Sequence, residues 1–194
     1  MQRRRFVKQC AVGSLLAGCL RAAASADPQQ KPDKGSAFAP ERMVKPALEH
    51  YQAGKRTCAE SILMAGCEAL AIKSDLVPDI ALGLTGGVGF QGETCGVLTA
   101  SAMVLSLALA KRDYETRRQR MTTVLFAVRR VHRAFREQLG HSDCRSLCGL
   151  DLNLPAAQER LQYSVRNQKC IKFVELGARL LAGELQATLA NPPS

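Results

Sequence analysis

From Met43 onward the apolar residues recur at helical spacing, and runs with the period of two that a half-buried strand requires are missing. The pattern predicts an all-α fold: a single-domain helical bundle of about five to six helices. A first helix is expected over 44–53 with Leu48 and Tyr51 turned inward. A second is expected over 58–72, opened by Thr57 and Glu60, whose hydroxyl and carboxylate stand three residues apart as a capping box requires. Ser74 or Asp75 is expected to cap a short third segment toward Leu82. The stretch 95–110 is apolar around its circumference, which marks a central helix with Thr94 as its N-cap. It is shorter than the ~20 residues a bilayer takes, and Ser101 and Ser106 interrupt it. A long amphipathic helix follows from Asp113 with the stripe Val124, Val128, Val131, Phe135 and Leu139, ended by Gly140. Cys144 and Cys148 fall in an expected loop, Pro155 opens a short helical turn, and a last helix is expected over 165–189 with Cys170 in its early turns. No repeat of a solenoid's length occurs.

The first 42 residues carry no such period. Arg3-Arg4, a free position and Phe6-Val7-Lys8 precede a short apolar run to Leu20, and Ala24-Ser25-Ala26 stands before Asp27. This three-part arrangement reads as an export signal over residues 1–26, and its arginines resemble the twin-arginine motif. The expected location is the periplasm or the outer face of the bacterial cell envelope. Leu16-Ala17-Gly18-Cys19 has the form of a lipobox, so a lipid anchor at Cys19 competes with cleavage after Ala26. Residues 27–42, rich in Pro, Lys, Gln and Ala, read as a flexible linker, which leaves 43–190 for the folded domain.

Composition narrows the picture. The chain has 194 residues and is 46% hydrophobic, enough to bury a core, which excludes intrinsic disorder and a disulfide-only miniprotein. The formal charge is +10, and the expected signal holds five basic residues and no acid, so the charge from Asp27 onward is +10 − 5 = +5. Much of it lies on the long helix, where Lys111, Arg112, Arg117, Arg118, Arg120, Arg129, Arg130, Arg133 and Arg136 form a basic segment over 111–136. Such a face suits an acidic redox partner or oxidoreductase subunit, or an anionic membrane surface. Nucleic acid is disfavoured, because aromatic interleaving is lacking. No Ser/His/Asp arrangement, Walker loop or zinc-hydrolase helix is present, and the absence of Cys-x-x-Cys-His disfavours covalent haem. The chain reads more as an electron-transfer or accessory protein than as a stand-alone enzyme.

The remaining candidate chemistry is sulfur. Two of the eight cysteines fall in the expected signal, leaving Cys58, Cys67, Cys95, Cys144, Cys148 and Cys170. Cys58 and Cys95 stand at predicted helix starts and Cys170 a turn or two inside another, where free N–H groups and the helix dipole favour thiolate. A glycine-rich loop containing Gly86, Gly87, Gly89 and Gly92 leads to Cys95-Gly96, and its glycines permit close backbone approach.

Thr57-Cys58-Ala59-Glu60, the run from Gly86 through Gly92-Glu93-Thr94-Cys95-Gly96, Cys144-Arg145-Ser146-Leu147 and Lys169-Cys170-Ile171-Lys172 resemble the C_GCAxxG_C_C family of redox-active proteins. The likeness spans about residues 43–187. It implies a helical domain with a thiol-dependent redox or metal-binding role, and it carries four positions over: Cys58, Cys95, Cys144 and Cys170. Converging, these four suit an iron–sulfur cluster or another thiolate-bound metal, a reversible dithiol/disulfide couple, or structural disulfides locking a non-enzymatic binding module. Cys148, Cys67 and His141 are secondary candidates: Cys148 as a further ligand, Cys67 as a small buried hydrophobe, His141 as a solvated loop residue. Val97 and Ala100 depart from the family pattern, which has Ala and Gly there, and add volume beside the helix start.

Overall fold

The computed structural model describes residues 40–53, 55–110 and 112–190. The expected signal, Cys19, residues 27–39 of the linker and Lys111 lie outside them. The described residues form an all-α, single-domain bundle of seven helices, one more than the upper expectation. None of these helices is long and apolar enough to cross a membrane.

Helix α1 (Glu41–Gln52) takes in Glu41 and Arg42 and buries Met43, Ala47 and Tyr51. Helix α2 (Cys58–Ala69) opens with the expected capping box, and both of its hydrogen bonds are made. It stops three residues before the expected Ile72. Ala71 turns left-handed (φ 52°), and the N–H groups of Ala71 and Ile72 cap the carbonyls of Glu68 and Cys67. The third segment is a 3-10 turn, Asp79–Leu84.

Helix α3 (Gly96–Ala110) is the centre of the bundle and packs on α2 and on two helices that follow, α4 (Arg117–Leu139) and α7 (Ile171–Ala190). Two glycines let it come close. A Cβ on Gly66 of α2 would lie 2.4 Å from Val104, and one on Gly177 of α7 would lie 2.0 Å from Val97. The volume that Val97 adds over alanine is therefore accommodated by a glycine on the facing helix.

Helix α4 begins at Arg117, not at Asp113. Thr116 is the true N-cap, accepting from the Gln119 N–H at 3.1 Å, while the Gln119 side chain reaches back to the Glu115 N–H. Its stripe faces the core through Ala127, Val131 and Phe135, and Gly140 ends it with φ 77° as expected. Arg130 makes a forked contact with Glu184 of α7, at 2.6 and 3.0 Å.

The expected loop around Cys144 and Cys148 is instead a short helix, α5 (Cys144–Cys148), capped by Asp143 and ended by Gly149 with φ 70°. The last helix also starts earlier than expected. Pro155 opens α6 (Pro155–Arg160), which continues through a ten-residue π-helical segment, Leu161–Cys170, into α7 without leaving helical backbone angles. Buried side chains separate into a main core of α1–α4 and α7 and a smaller one of Cys144, Cys148, Leu150, Leu152, Ala157, Leu161 and Val165. Cys170 packs against both.

Candidate functional site

The glycine loop folds back on itself and then pairs with the segment before α5. Gly87 has φ 72°, and a Cβ there would lie 2.4 Å from the Glu93 carbonyl, so this position requires glycine. Beyond it, Cys95 N–H donates to Ser142 (2.9 Å), Cys144 N–H to Glu93 (2.7 Å) and Arg145 N–H to Gly92 (3.0 Å). These bonds, around a single bridge between Thr94 and Asp143, set Cys95 and Cys144 side by side although they belong to different helices. Cys95 itself precedes α3, its carbonyl accepting from Leu98 and Thr99, so it stands at the cap position expected for Thr94. Cys58 is the first residue of α2 and reaches the same place because residue 96 is glycine: a Cβ there would lie 2.8 Å from the Cys58 Sγ.

The sulfurs of Cys58, Cys95, Cys144, Cys148 and Cys170 line one cavity of about 600 Å³ at the seam of the two cores. They fall into two contacting groups. Cys95 hydrogen-bonds to Cys58. In the other group, Cys148 Sγ lies 3.8 Å from Cys144 Sγ and 3.8 Å from Cys170 Sγ. Cys148, a secondary candidate from sequence, thus sits between two of the matched thiols. The signal for this was available: four residues from Cys144, it shares a helix face once the segment is helical, and Asp143 with Gly149 mark that helix's two ends. Cys67 is buried in α2 away from the cavity, and His141 is exposed and lines no part of it. Of the loop glycines, Gly86 lines the cavity, Gly92 packs against Arg145 and Gly89 faces open space.

Sequence reasoning turned Tyr51 inward but missed its place in the site, and it missed Arg166. The Arg166 guanidinium lies 4.0 Å from the Tyr51 ring and donates to the Tyr51 carbonyl, while the Tyr51 hydroxyl donates to the Arg166 carbonyl. The pair ties α1 to the π-helical segment, puts a cation beside the thiols and brings the Tyr51 hydroxyl into hydrogen-bond contact with Cys170. No periodicity marks such a pair, because its members are 115 positions apart.

The thiols differ in protonation. Cys58 is held below the ordinary thiol range, first by the hydrogen bond from Cys95, then by the Ala59 and Cys58 N–H groups and by Arg166, against burial, which acts the other way. Cys95 is pushed up by that same hydrogen bond, by burial and by the charge of Cys58. The same hydrogen bond thus favours the thiolate form at Cys58 and the thiol form at Cys95. Cys148 is pushed up to about 12, first by its contact with Cys144. Cys170 is raised by Cys148 and by burial, which corrects the expectation of a thiolate at a helix start: it stands inside a continuous helix, where the backbone N–H groups are already bonded.

Among the described residues no carboxylate or imidazole lines the cavity, so its soft-metal donors are thiols, which iron–sulfur clusters also take. The 3.8 Å contacts match the ~3.8 Å sulfur–sulfur edge of a tetrahedral site with Zn–S bonds of ~2.3 Å. Among the described residues, no three Cys, His, Asp or Glu side chains converge closely enough to hold an ion as they stand. In donor chemistry the residues fit a thiolate-bound metal.

A helical bundle that gathers thiols in two contacting groups and shifts one of them toward thiolate defines the class: a protein built around sulfur chemistry. The chain belongs to the family described as "Putative redox-active protein (C_GCAxxG_C_C)", whose model matches residues 56–183. An uncharacterized protein of Archaeoglobus fulgidus is 27% identical over 137 residues, 68% of this chain and 85% of that protein. No solved structure matches.

Proposed function

We propose that the protein is an exported thiol-based electron carrier in which Cys58 attacks a disulfide and Cys95 resolves the product. The observation that carries this reading is the Cys58–Cys95 pair itself, a partly exposed thiol shifted toward thiolate and hydrogen-bonded to a buried one. The Cys58 thiolate attacks one sulfur of the incoming disulfide, forming a mixed disulfide and expelling the other half as thiolate. Cys95 then attacks the Cys58 sulfur and expels the second half. The proton of Cys95 passes to one leaving thiolate and the other takes a proton from water, so one external disulfide becomes two thiols while the Cys58 thiolate and the Cys95 thiol become one disulfide. The exposed arginines of α4 line no part of the cavity; they support a holding surface for an acidic envelope oxidoreductase and not the presentation of sulfur.

The test is to mix the reduced protein with glutathione disulfide and map the adducts by mass. In Cys95→Ala the mixed disulfide on Cys58 should accumulate, whereas in the parent chain it should pass on to a Cys58–Cys95 bond. Reaction at Cys58 no faster than at Cys67 would overturn the assignment.

The all-thiol lining favours a second reading, in which Cys58, Cys95, Cys144 and Cys170 hold an iron–sulfur cluster or another soft metal. Such a group would supply one-electron transfer. The chain's own residues would then hold it and, through Arg166, offset the charge of the thiolates. Metal analysis and visible absorption after anaerobic purification separate the two: stoichiometric iron with charge-transfer bands supports the cluster, and a metal-free protein removes it.

A further inference from the structure

Five thiols are more than a single dithiol couple uses, and their grouping suggests what the others do. Cys58 and Cys95 form one contacting pair, and Cys148 touches two further thiols that line the same cavity. Cys144 connects the groups. The paired segments before α3 and α5 place it next to Cys95. Sulfur contacts join Cys58 to Cys95 and Cys148 to Cys144 and Cys170, the backbone pairing sets Cys95 next to Cys144, and Cys67 stands outside this series.

We infer that Cys148 is the pivot of a second dithiol/disulfide couple, Cys148–Cys170, which takes over the disulfide formed at Cys58–Cys95 by internal exchange, so that one chain stores four electrons. The inference rests on the thiol–disulfide reading above. Cys144 attacks the Cys95 sulfur of the Cys58–Cys95 bond and releases Cys58. Cys148 attacks Cys144 and releases Cys95, and Cys170 attacks Cys148 and releases Cys144. At each exchange one sulfur–sulfur bond forms as one breaks, and a proton passes from the attacking thiol to the leaving thiolate. The net change reduces Cys58–Cys95 and oxidises Cys148 and Cys170. A second external disulfide, of the same class as the first, then reoxidises Cys58–Cys95. Cys148–Cys170 is the end state because it joins α5 to the π-helical segment, whereas a Cys144–Cys148 bond would close within five residues of one helix. The Tyr51 hydroxyl stands beside Cys170, the last thiol of the relay.

The experiment is a titration of the fully reduced protein with glutathione disulfide in the presence of chelator. Remaining thiols are counted by alkylation after denaturation, and the linked peptides are mapped. Of the six cysteines from Cys58 onward, four should be lost in two steps, leaving Cys67 and Cys144 free. In Cys148→Ala only two should be lost, all in the Cys58–Cys95 bond, while Cys67→Ala should retain the loss of four. A parent chain that stops at Cys58–Cys95, or a Cys148→Ala variant that still loses four, overturns the relay and leaves the proposed function standing. A chain that forms no Cys58–Cys95 bond at any point overturns the proposed function itself.

Discussion

At the scale of single residues, the difference between Cys58 and Cys95 follows from the hydrogen bond between them, which lowers one thiol and raises the other. Because the hydrogen bond from Cys95 is the first cause of the low Cys58 value, removing the donor must raise it, and burial then dominates. The pH midpoint of iodoacetamide labelling at Cys58 should therefore lie below the ~8.5 of a free thiol. It should move up in Cys95→Ala and return part of the way in Cys95→Ser, whose hydroxyl still donates. Equal midpoints in all three proteins would remove the coupling. The sequence made Cys58 readable, since Thr57 and Glu60 announce the helix start on which it stands. It misled at Cys170, because the pattern from Val165 onward conceals that the helix begins at Pro155. Residue type and spacing do not state whether a backbone N–H is already bonded, and that decides which way a buried thiol shifts.

At the scale of elements, the site depends on how closely helices approach. Val97 of α3 presses on the surface of α7 that Gly177 leaves open. Gly177→Ala should destabilise the protein by about 1–3 kcal/mol through overpacking. Combining it with Val97→Ala should recover most of that loss, because the methyl groups in the way are gone. Chemical denaturation of the single and double variants measures both effects, and additive losses would sink the idea. Boundaries were legible where a capping motif was taken into account, as at Thr57 and Gly140. Thr116 with Gln119 carried a similar signal for the start of α4. The helix at Cys144–Cys148 is too short for any hydrophobic period to reveal, and its caps were the only trace it left in sequence.

At the scale of the whole molecule, positive charge and sulfur occupy different places. Arg118, Arg129 and Arg133 are exposed on α4, with the exposed apolar side chains of Met121, Leu125 and Phe126 beside them, and none lines the cavity. If this face holds an acidic partner, retention on a polyglutamate surface should fall as salt rises through the range where the screening length drops to about 8–10 Å. Replacing the three arginines by Glu should weaken retention while leaving the labelling rate of Cys58 unchanged; retention equal to that of the parent chain would remove α4 as the docking face. The all-α class, the central helix and the core stripe of α4 were determined by sequence alone, because the positions that must leave water recur at the helical period. So was the family, through residues matched along most of the folded part. Only the tertiary structure decided that five thiols meet, that Cys148 is among them and Cys67 is not, and that Arg166 stands by. Those facts depend on hydrogen bonds and close approaches between segments far apart in the chain, which no local period records.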